Sequence, residues 1–225
     1  MNLLKSCFSR LGLLSASLAT FVAIVPAAAG TISSASPASG PGVGLVAVPN
    51  ILTTTPNNDN EPGPGANNIN IIVKRFDANG YIDIEFNALN SGGVSEYLVF
   101  EAVDNNTGVP WINYTMELGF GTGANFVQSP SGDGLDFDAP QFDGGVPSST
   151  AFPSVVTGED LLIFGGGVQG AGLQTYQVRI DVPDLDGQRL GRFTLRQTPV
   201  AIPEPATLAL VGVAMIGALC VRRRS

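Results

Sequence analysis

The sequence predicts an all-β fold, an antiparallel β-sandwich over residues 68–198. Apolar and polar residues alternate with a period of two in several short segments, which is typical of strands that are buried on one face. Clusters of Gly, Pro, Asn and Asp separate these segments, as turns separate the strands of antiparallel sheets. About seven strands over roughly 130 residues favour two sheets packed around one core.

The clearest strand candidate is residues 111–120, where apolar side chains occupy every second position from Ile112 to Phe120. We expect Trp111, the only tryptophan, to lie in or near the core, and stacking on a sugar is the alternative for it. In chain order the candidates are residues 70–76, 81–86, 96–103, 111–120, 161–164, 176–181 and 192–196.

Two segments depart from this pattern. Residues 30–67 are rich in Gly, Ser, Pro and Asn, so we expect a flexible N-terminal segment with one short strand at most, from residues 43–48 and 51–52. Residues 121–157 carry little hydrophobic pattern. A loop of that length inside a compact domain is either functional or disordered.

Residues 1–29 have the layout of a secretory signal peptide. A positively charged start is followed by an apolar stretch at residues 11–25, and Ala27 and Ala29 supply the small side chains of a cleavage site. We therefore predict that the chain is exported and that its mature form begins at Gly30.

The other end of the chain, residues 199–225, has the layout of a sorting tail. The motif Pro203-Glu204-Pro205 precedes an apolar run at residues 206–221, and the arginines Arg222, Arg223 and Arg224 follow. A helix made of that run is about 24 Å long, close to the thickness of a hydrocarbon core. Because arginines favour the cytoplasmic side of a membrane, we predict one transmembrane helix with a cytoplasmic stop.

This tail resembles the PEP-CTERM sorting domain of Gram-negative bacteria. The resemblance implies that an exosortase, a membrane-embedded protease, recognises Pro203, Glu204 and Pro205 and releases the protein near them. It also implies an inner-membrane-anchored precursor that then reaches the cell surface or the extracellular space. Proteins with this tag usually occur with exopolysaccharide and biofilm systems, so the resemblance makes an exopolysaccharide an expected partner.

A second resemblance concerns the predicted sandwich. The segments 106–108, 117–123 and 132–140, together with Trp111, are similar to segments of the choice-of-anchor bacterial surface proteins, and type F is the best match. This resemblance implies an exported surface or matrix protein and assigns no enzyme activity.

The composition excludes several classes of function. Cys7 and Cys220 lie in the predicted signal peptide and membrane helix, so the rest of the chain has no cysteine for a disulfide. The chain has no histidine, which excludes Ser-His-Asp catalysis and zinc sites of the usual kind. Between residues 30 and 202 acidic side chains outnumber basic ones about three to one, which disfavours nucleic acid as a partner.

Two groups of carboxylates are candidate sites. Asp133, Asp136 and Asp138 lie among glycines in the long loop, and such carboxylates can surround Ca²⁺. Their spacing does not fit an EF-hand loop, so solvated turns are the favoured interpretation and no cofactor is expected. Asp83 and Glu85 share one face of a predicted strand, which is solvated in the favoured interpretation and allows glycoside hydrolysis as an alternative.

The function that the sequence favours is a non-enzymatic exported protein of the cell surface or extracellular matrix, sorted through its tail by an exosortase. The first alternative is a carbohydrate- or calcium-binding surface module whose site is the long loop. The second alternative is a carboxylate-dependent glycosidase.

Overall fold

The computed structural model describes residues 30–49, 51, 68–90, 94–138, 145–185 and 191–202. The predicted signal peptide, the motif Pro203-Glu204-Pro205, the predicted membrane helix and the arginine cluster lie outside the described residues. Within those ranges, no helix has the length and apolar character needed to cross a membrane.

The described residues form β-strands and one short 3₁₀ turn, which confirms the predicted all-β class. The strands are β1 (Gly30–Ala35), β2 (Val43–Ala47), β3 (Asn68–Phe76), β4 (Ile82–Asn90), β5 (Ser95–Asn105), β6 (Trp111–Phe120), β7 (Val127–Gln128), β8 (Ser148–Ser149), β9 (Ser154–Thr157), β10 (Leu161–Gly165), β11 (Gly172–Val182) and β12 (Arg192–Ala201). The 3₁₀ turn, η1 (Gly123–Asn125), lies between β6 and β7.

The strands are arranged in two sheets. The seven-stranded sheet has the order β1-β4-β12-β6-β10-β9, with β7 paired to β6, and the five-stranded sheet has the order β2-β3-β5-β11-β8. Among the described strands every pair is antiparallel except β3 with β5, which is parallel. The antiparallel prediction is corrected at this one pair. The strand between them in sequence, β4, belongs to the other sheet, so the chain crosses over and returns in the same direction.

One cluster of apolar side chains, drawn from both sheets, forms the core. The fully buried Trp111 confirms the expectation of a core anchor. Its ring stacks on that of Tyr114, with centroids 5.9 Å apart, and meets the ring of Phe76 edge to face at 5.2 Å. Such aromatic contacts add to the free energy that burial of the rings contributes.

The expectation of a flexible segment at residues 30–67 is corrected for its described part. Strand β1 pairs with β4, and β2 pairs with β3. Ile32 of β1 is fully buried, and its N–H donates a hydrogen bond to the hydroxyl of Tyr97 at 2.8 Å. The composition concealed these strands because Gly, Ser and Pro dominate it, and β1 carries a single large apolar side chain.

The described part of the long loop, residues 121–138 and 145–157, is structured. It contains η1 and three short strands, of which β7 pairs with β6, β8 with β11 and β9 with β10. The loop therefore supplies strands to both sheets. Strands of two to four residues are too short to show a period in the sequence.

Candidate functional site

In the loop after β7, Asp133 acts as a turn residue and Asp136 pairs with the five-stranded sheet. Oδ2 of Asp133 accepts a hydrogen bond from the Ser129 hydroxyl at 2.7 Å, and Oδ1 accepts one from the Leu135 N–H at 3.0 Å. Asp136 forms a backbone bridge with Asp181 of β11. Aspartates commonly close turns as Asp133 does, and the bridge between Asp136 and Asp181 holds the loop against the five-stranded sheet.

A buried carboxylate that the sequence did not single out lies near this loop. Asp160 is only 6% exposed, and burial, reinforced by the charges of Asp133, Glu159 and Asp136, raises its pKa to about 7. Asp138 is also buried and has a positive φ of 54°. Within the described ranges, however, no group of three or more Asp, Glu, His or Cys side chains could hold a metal ion.

The carboxylate of Asp83 is buried and bound on the seven-stranded sheet, which corrects the expectation of a solvated face. Nε and Nη2 of Arg196 lie 2.7 and 2.8 Å from its two oxygens, and the Gly123 N–H donates to Oδ2 at 2.7 Å. The guanidinium carbon of Arg196 lies 4.1 Å from the ring centroid of Tyr81 and 4.0 Å from that of Phe126. Bidentate pairing and ring stacking together make this arginine a clamp that ties η1 to the sheet.

Glu85, two residues along β4, has a different environment. Its Oε1 lies 3.2 Å from Nη1 of Arg192, an arginine whose side chain is 56% exposed. This pair is an ordinary surface ion pair, and such pairs contribute little stability. The structure therefore brings each of the two carboxylates predicted from β4 to its own arginine.

Four polar side chains meet inside the core, and we refer to Lys74, Glu101, Tyr114 and Gln197 as the core polar cluster. Lys74 of β3 and Glu101 of β5 belong to the five-stranded sheet, whereas Tyr114 of β6 and Gln197 of β12 belong to the seven-stranded sheet. All four residues are at most 1% exposed. Nζ of Lys74 lies 2.6 Å from Oε1 of Glu101.

Hydrogen bonds connect every member of the core polar cluster. Nε2 of Gln197 donates to the two oxygens of Glu101 at 2.7 and 2.9 Å. Oε1 of Gln197 accepts hydrogen bonds from the Tyr114 hydroxyl, at 2.5 Å, and from Nζ of Lys74. Burial lowers the pKa of Lys74 to about 8 although Glu101 opposes the shift, and burial raises the pKa of Tyr114 well above its ordinary value.

Sequence reasoning missed this cluster, although a signal was present. Lys74 lies at an inward position of its strand, between the buried Ile72 and Phe76, and Gln197 follows Leu195 at the same period of two. A charged or amide side chain at an apolar position of an alternating strand indicates a buried polar partner.

A groove of about 760 Å³ lies along β5, β11 and β8 of the five-stranded sheet. Phe100 and Leu173 contribute apolar surface, and Thr150, Thr175 and Gln177 contribute polar side chains. Part of the long loop, at β8 and Thr150, therefore lines this groove. Grooves that combine a ring with a few polar groups are the usual form of a small-ligand site.

Comparison with known protein families finds a match at the C-terminal end of the chain. Residues 201–224 match the family model of the PEP-CTERM protein-sorting motif. The chain carries a PEP-CTERM sorting motif. No curated protein and no solved structure matches the chain, and the resemblance to the choice-of-anchor F family found no support. The motif makes the chain an exported protein whose membrane-passing precursor is processed by an exosortase and sorted to the cell surface.

The PEP-CTERM motif begins where the described fold ends. Its first matched residue, Ala201, is the last residue of β12, and the next N–H, that of Ile202, donates to the Pro110 carbonyl at 2.9 Å. Strand β12 lies between β4 and β6 in the seven-stranded sheet. The sorting tail is therefore joined directly to an interior strand of the sandwich.

Proposed function

We propose that this chain is a non-enzymatic protein of the cell surface or extracellular matrix, associated with exopolysaccharide, and that its C-terminal helix holds it in the membrane until an exosortase acts. The PEP-CTERM motif at residues 201–224 is the observation that carries this proposal. Proline fixes its own φ and biases the residue before it towards extended conformations, and proteases bind extended segments by strand-like addition.

The two carboxylates that the sequence offers for glycoside hydrolysis, Asp83 and Glu85, are each paired with an arginine, which supports a structural role for them. Asp83 is engaged by Arg196 and by a backbone N–H, so its oxygens bind protein groups instead of a substrate.

Deletion of Pro203, Glu204 and Pro205 tests the sorting part of the proposal. We expect the deleted form to stay in the membrane fraction with Arg222–Arg224 still attached, because the exosortase has lost its recognition segment. A matched control removes three other residues, 53–55, and leaves the motif intact. Release of the motif-deleted protein at the wild-type level would refute the proposal.

A carbohydrate-binding role is a second candidate, and the groove along β5, β11 and β8 favours it. The ring of Phe100 offers a face on which a sugar can stack, and the polar groups of Thr150, Thr175 and Gln177 lie around it.

Affinity electrophoresis in gels that contain exopolysaccharide from the producing cells tests this candidate. We expect the wild-type protein to be retarded and the Phe100→Ala variant to migrate as in a polymer-free gel. Leu89→Ala is the control, because Leu89 is an exposed apolar residue of β4 outside the groove. Equal retardation of Phe100→Ala and wild type would exclude the groove as the site.

A further inference from the structure

We propose that Lys74 and Gln197 become joined by an amide bond that the protein forms by itself, with Glu101 and Tyr114 as the catalytic residues. The core polar cluster holds an amine, a carboxamide, a carboxylate and a phenol in direct contact and away from water. As a plain ion pair it is a weak source of stability, because desolvation of both charges is costly. As a set of reactants it has the proximity that makes reactions within one chain fast.

Lys74 is the nucleophile of this reaction. Its Nζ donates a hydrogen bond directly to Oε1 of Gln197, which places the amine next to the carboxamide that it attacks. Burial lowers the pKa of the amine to about 8. The neutral, nucleophilic form is therefore far more populated at neutral pH than in an exposed lysine.

Glu101 is positioned to move protons between the two nitrogens. Its Oε1 lies 2.6 Å from Nζ of Lys74, and both of its oxygens accept hydrogen bonds from Nε2 of Gln197. One carboxylate thus contacts the attacking nitrogen and the leaving nitrogen, as a general base that later acts as a general acid must.

Tyr114 stabilises the charge that develops on the carboxamide oxygen. Its hydroxyl donates to Oε1 of Gln197 at 2.5 Å, and the raised pKa keeps the hydroxyl protonated. A donor fixed in this way in a dry site acts as an oxyanion hole when Cδ becomes tetrahedral.

The atoms and charges balance without a further reactant. The lone pair of Nζ forms a bond to Cδ of Gln197, and the bond between Cδ and Nε2 breaks. The ammonium of Lys74 gives up two protons: one passes through Glu101 to Nε2, which leaves as ammonia, and one remains on Glu101. A buried ion pair becomes a neutral amide beside a neutral carboxylic acid, which removes the cost of two buried charges.

The cross-link would replace the disulfides that this part of the chain lacks. Both cysteines, Cys7 and Cys220, lie outside the sandwich. The new bond connects β3 of one sheet to β12 of the other, four residues before the sorting motif begins at Ala201. Tension applied to the tail therefore reaches β3 through a covalent bond and does not depend on the hydrogen bonds of β12 alone. The inference itself rests on the cluster and not on the sorting motif.

Peptide mass analysis of the denatured, trypsin-digested full chain tests the cross-link. Lys74 is the only lysine after Lys5, so the assignment is unambiguous. We expect the peptides that contain Lys74 and Gln197 to be recovered joined, with the sum of their masses reduced by one ammonia. Recovery of the two peptides separately, with cleavage after Lys74, would overturn the proposal.

Two variants test the assigned roles. We expect Glu101→Gln to leave the peptides unjoined, and Tyr114→Phe, which keeps the ring, to join them about a hundredfold more slowly. Glu96→Gln is the matched control, because Glu96 is a carboxylate of the same strand, equally buried and ion-paired to Arg179, and it should cross-link as the wild type does. Undiminished cross-linking in Glu101→Gln would refute the role of Glu101. If Glu101→Gln does not fold, the wild-type digest and Tyr114→Phe still decide the question.

Discussion

Asp83 and Glu85 lie two positions apart on β4, but their surroundings differ, and we expect the two carboxylates to contribute differently to stability. Asp83 is buried and paired bidentately with Arg196, whose side chain is 15% exposed, whereas Glu85 faces the exposed Arg192. Loss of one partner from a buried pair leaves an uncompensated charge. Loss of one partner from a surface pair leaves a charge that water solvates.

We predict that Asp83→Asn lowers the free energy of unfolding by about 3 kcal/mol. Asparagine offers Arg196 one neutral acceptor oxygen in place of two charged ones, so the buried guanidinium loses the negative charge that compensates it. Glu85→Gln is the matched control and should change it by less than about 0.5 kcal/mol. Urea denaturation of both variants measures the difference. Equal, small effects would show that Arg196 is not the clamp that we describe.

Asp160 predicts a pH dependence of stability. Its pKa is raised in the folded protein from 3.8 to about 7, so the folded state binds this proton more tightly than the unfolded chain does. Stability is therefore lost as the pH rises from about 4 to about 7, where only the unfolded chain is ionised, and stays at the lower level above that window. Asp160→Asn removes this loss.

We predict that Asp160→Asn has nearly the wild-type melting temperature at about pH 4 and a higher one at about pH 7.5. Glu159→Gln is the control, because we expect it to change stability in the opposite direction at the higher pH. Hydrogen bonds from the Ser131 hydroxyl and the Gly132 N–H lower the pKa of Glu159, so its variant should lose stability at the higher pH. If the melting temperatures of both variants changed in the same direction at about pH 7.5, the raised pKa of Asp160 would be contradicted.

At the scale of elements, β1 decides whether the N-terminal segment belongs to the sandwich. Its pairing covers one edge of β4, and its buried Ile32 joins the core cluster. Residues that flank a signal peptide are often unstructured. Here the first residue of the predicted mature chain, Gly30, is already the first residue of a strand.

We predict that Ile32→Ala lowers the free energy of unfolding by about 3 kcal/mol, the usual cost of truncating a fully buried isoleucine. Leu45→Ala in β2 is the control. Leu45 is 50% exposed, so its truncation should change the free energy of unfolding only slightly. Chemical denaturation monitored by the fluorescence of Trp111 measures both. If Ile32→Ala left the free energy of unfolding unchanged, β1 would be dispensable for the stability of the fold.

The sequence pattern predicted the long strands that are buried on one face. It missed the short strands and the parallel pairing. The predicted strand at residues 111–120 coincides with β6, and the one at 176–181 lies inside β11. Alternation is strong there because one face of each strand is buried. Strand β8 has two residues, too few to show a period. The parallel pairing of β3 with β5 depends on which sheet β4 joins, and single-strand patterns carry no such information.

The candidate sites also divide into those made of neighbouring residues, which the sequence could predict, and those assembled from distant strands, which it could not. Local chemistry, such as the turn role of Asp133, could be read from neighbouring glycines. The core polar cluster brings together Lys74 and Gln197, which are 123 positions apart, and only the facing of the two sheets creates it. The contacts of the Asp83–Arg196 pair likewise come from elsewhere in the chain: Gly123 of η1 donates to Asp83, and the ring of Phe126 stacks on Arg196. No pattern within β4 predicts these contacts.

At the scale of the whole molecule, sorting depends on the PEP-CTERM motif at residues 201–224, and the sandwich that precedes the motif is what is delivered. The PEP-CTERM motif begins at Ala201, the last residue of β12. Cleavage near Pro203–Pro205 would therefore leave the described domain intact, because its last strand ends at Ala201. Any polymer attached at the new C-terminus would be joined to an interior strand of the seven-stranded sheet.

The most direct test of exosortase processing is the mass of the C-terminal peptide of the protein recovered separately from membranes, cell surface and medium. Processing predicts that surface and medium forms end near residues 202–205, with or without an added mass, and that only the membrane form keeps Arg222–Arg224. A chain that keeps these arginines in every fraction would contradict the account, because the motif would then be present and unused.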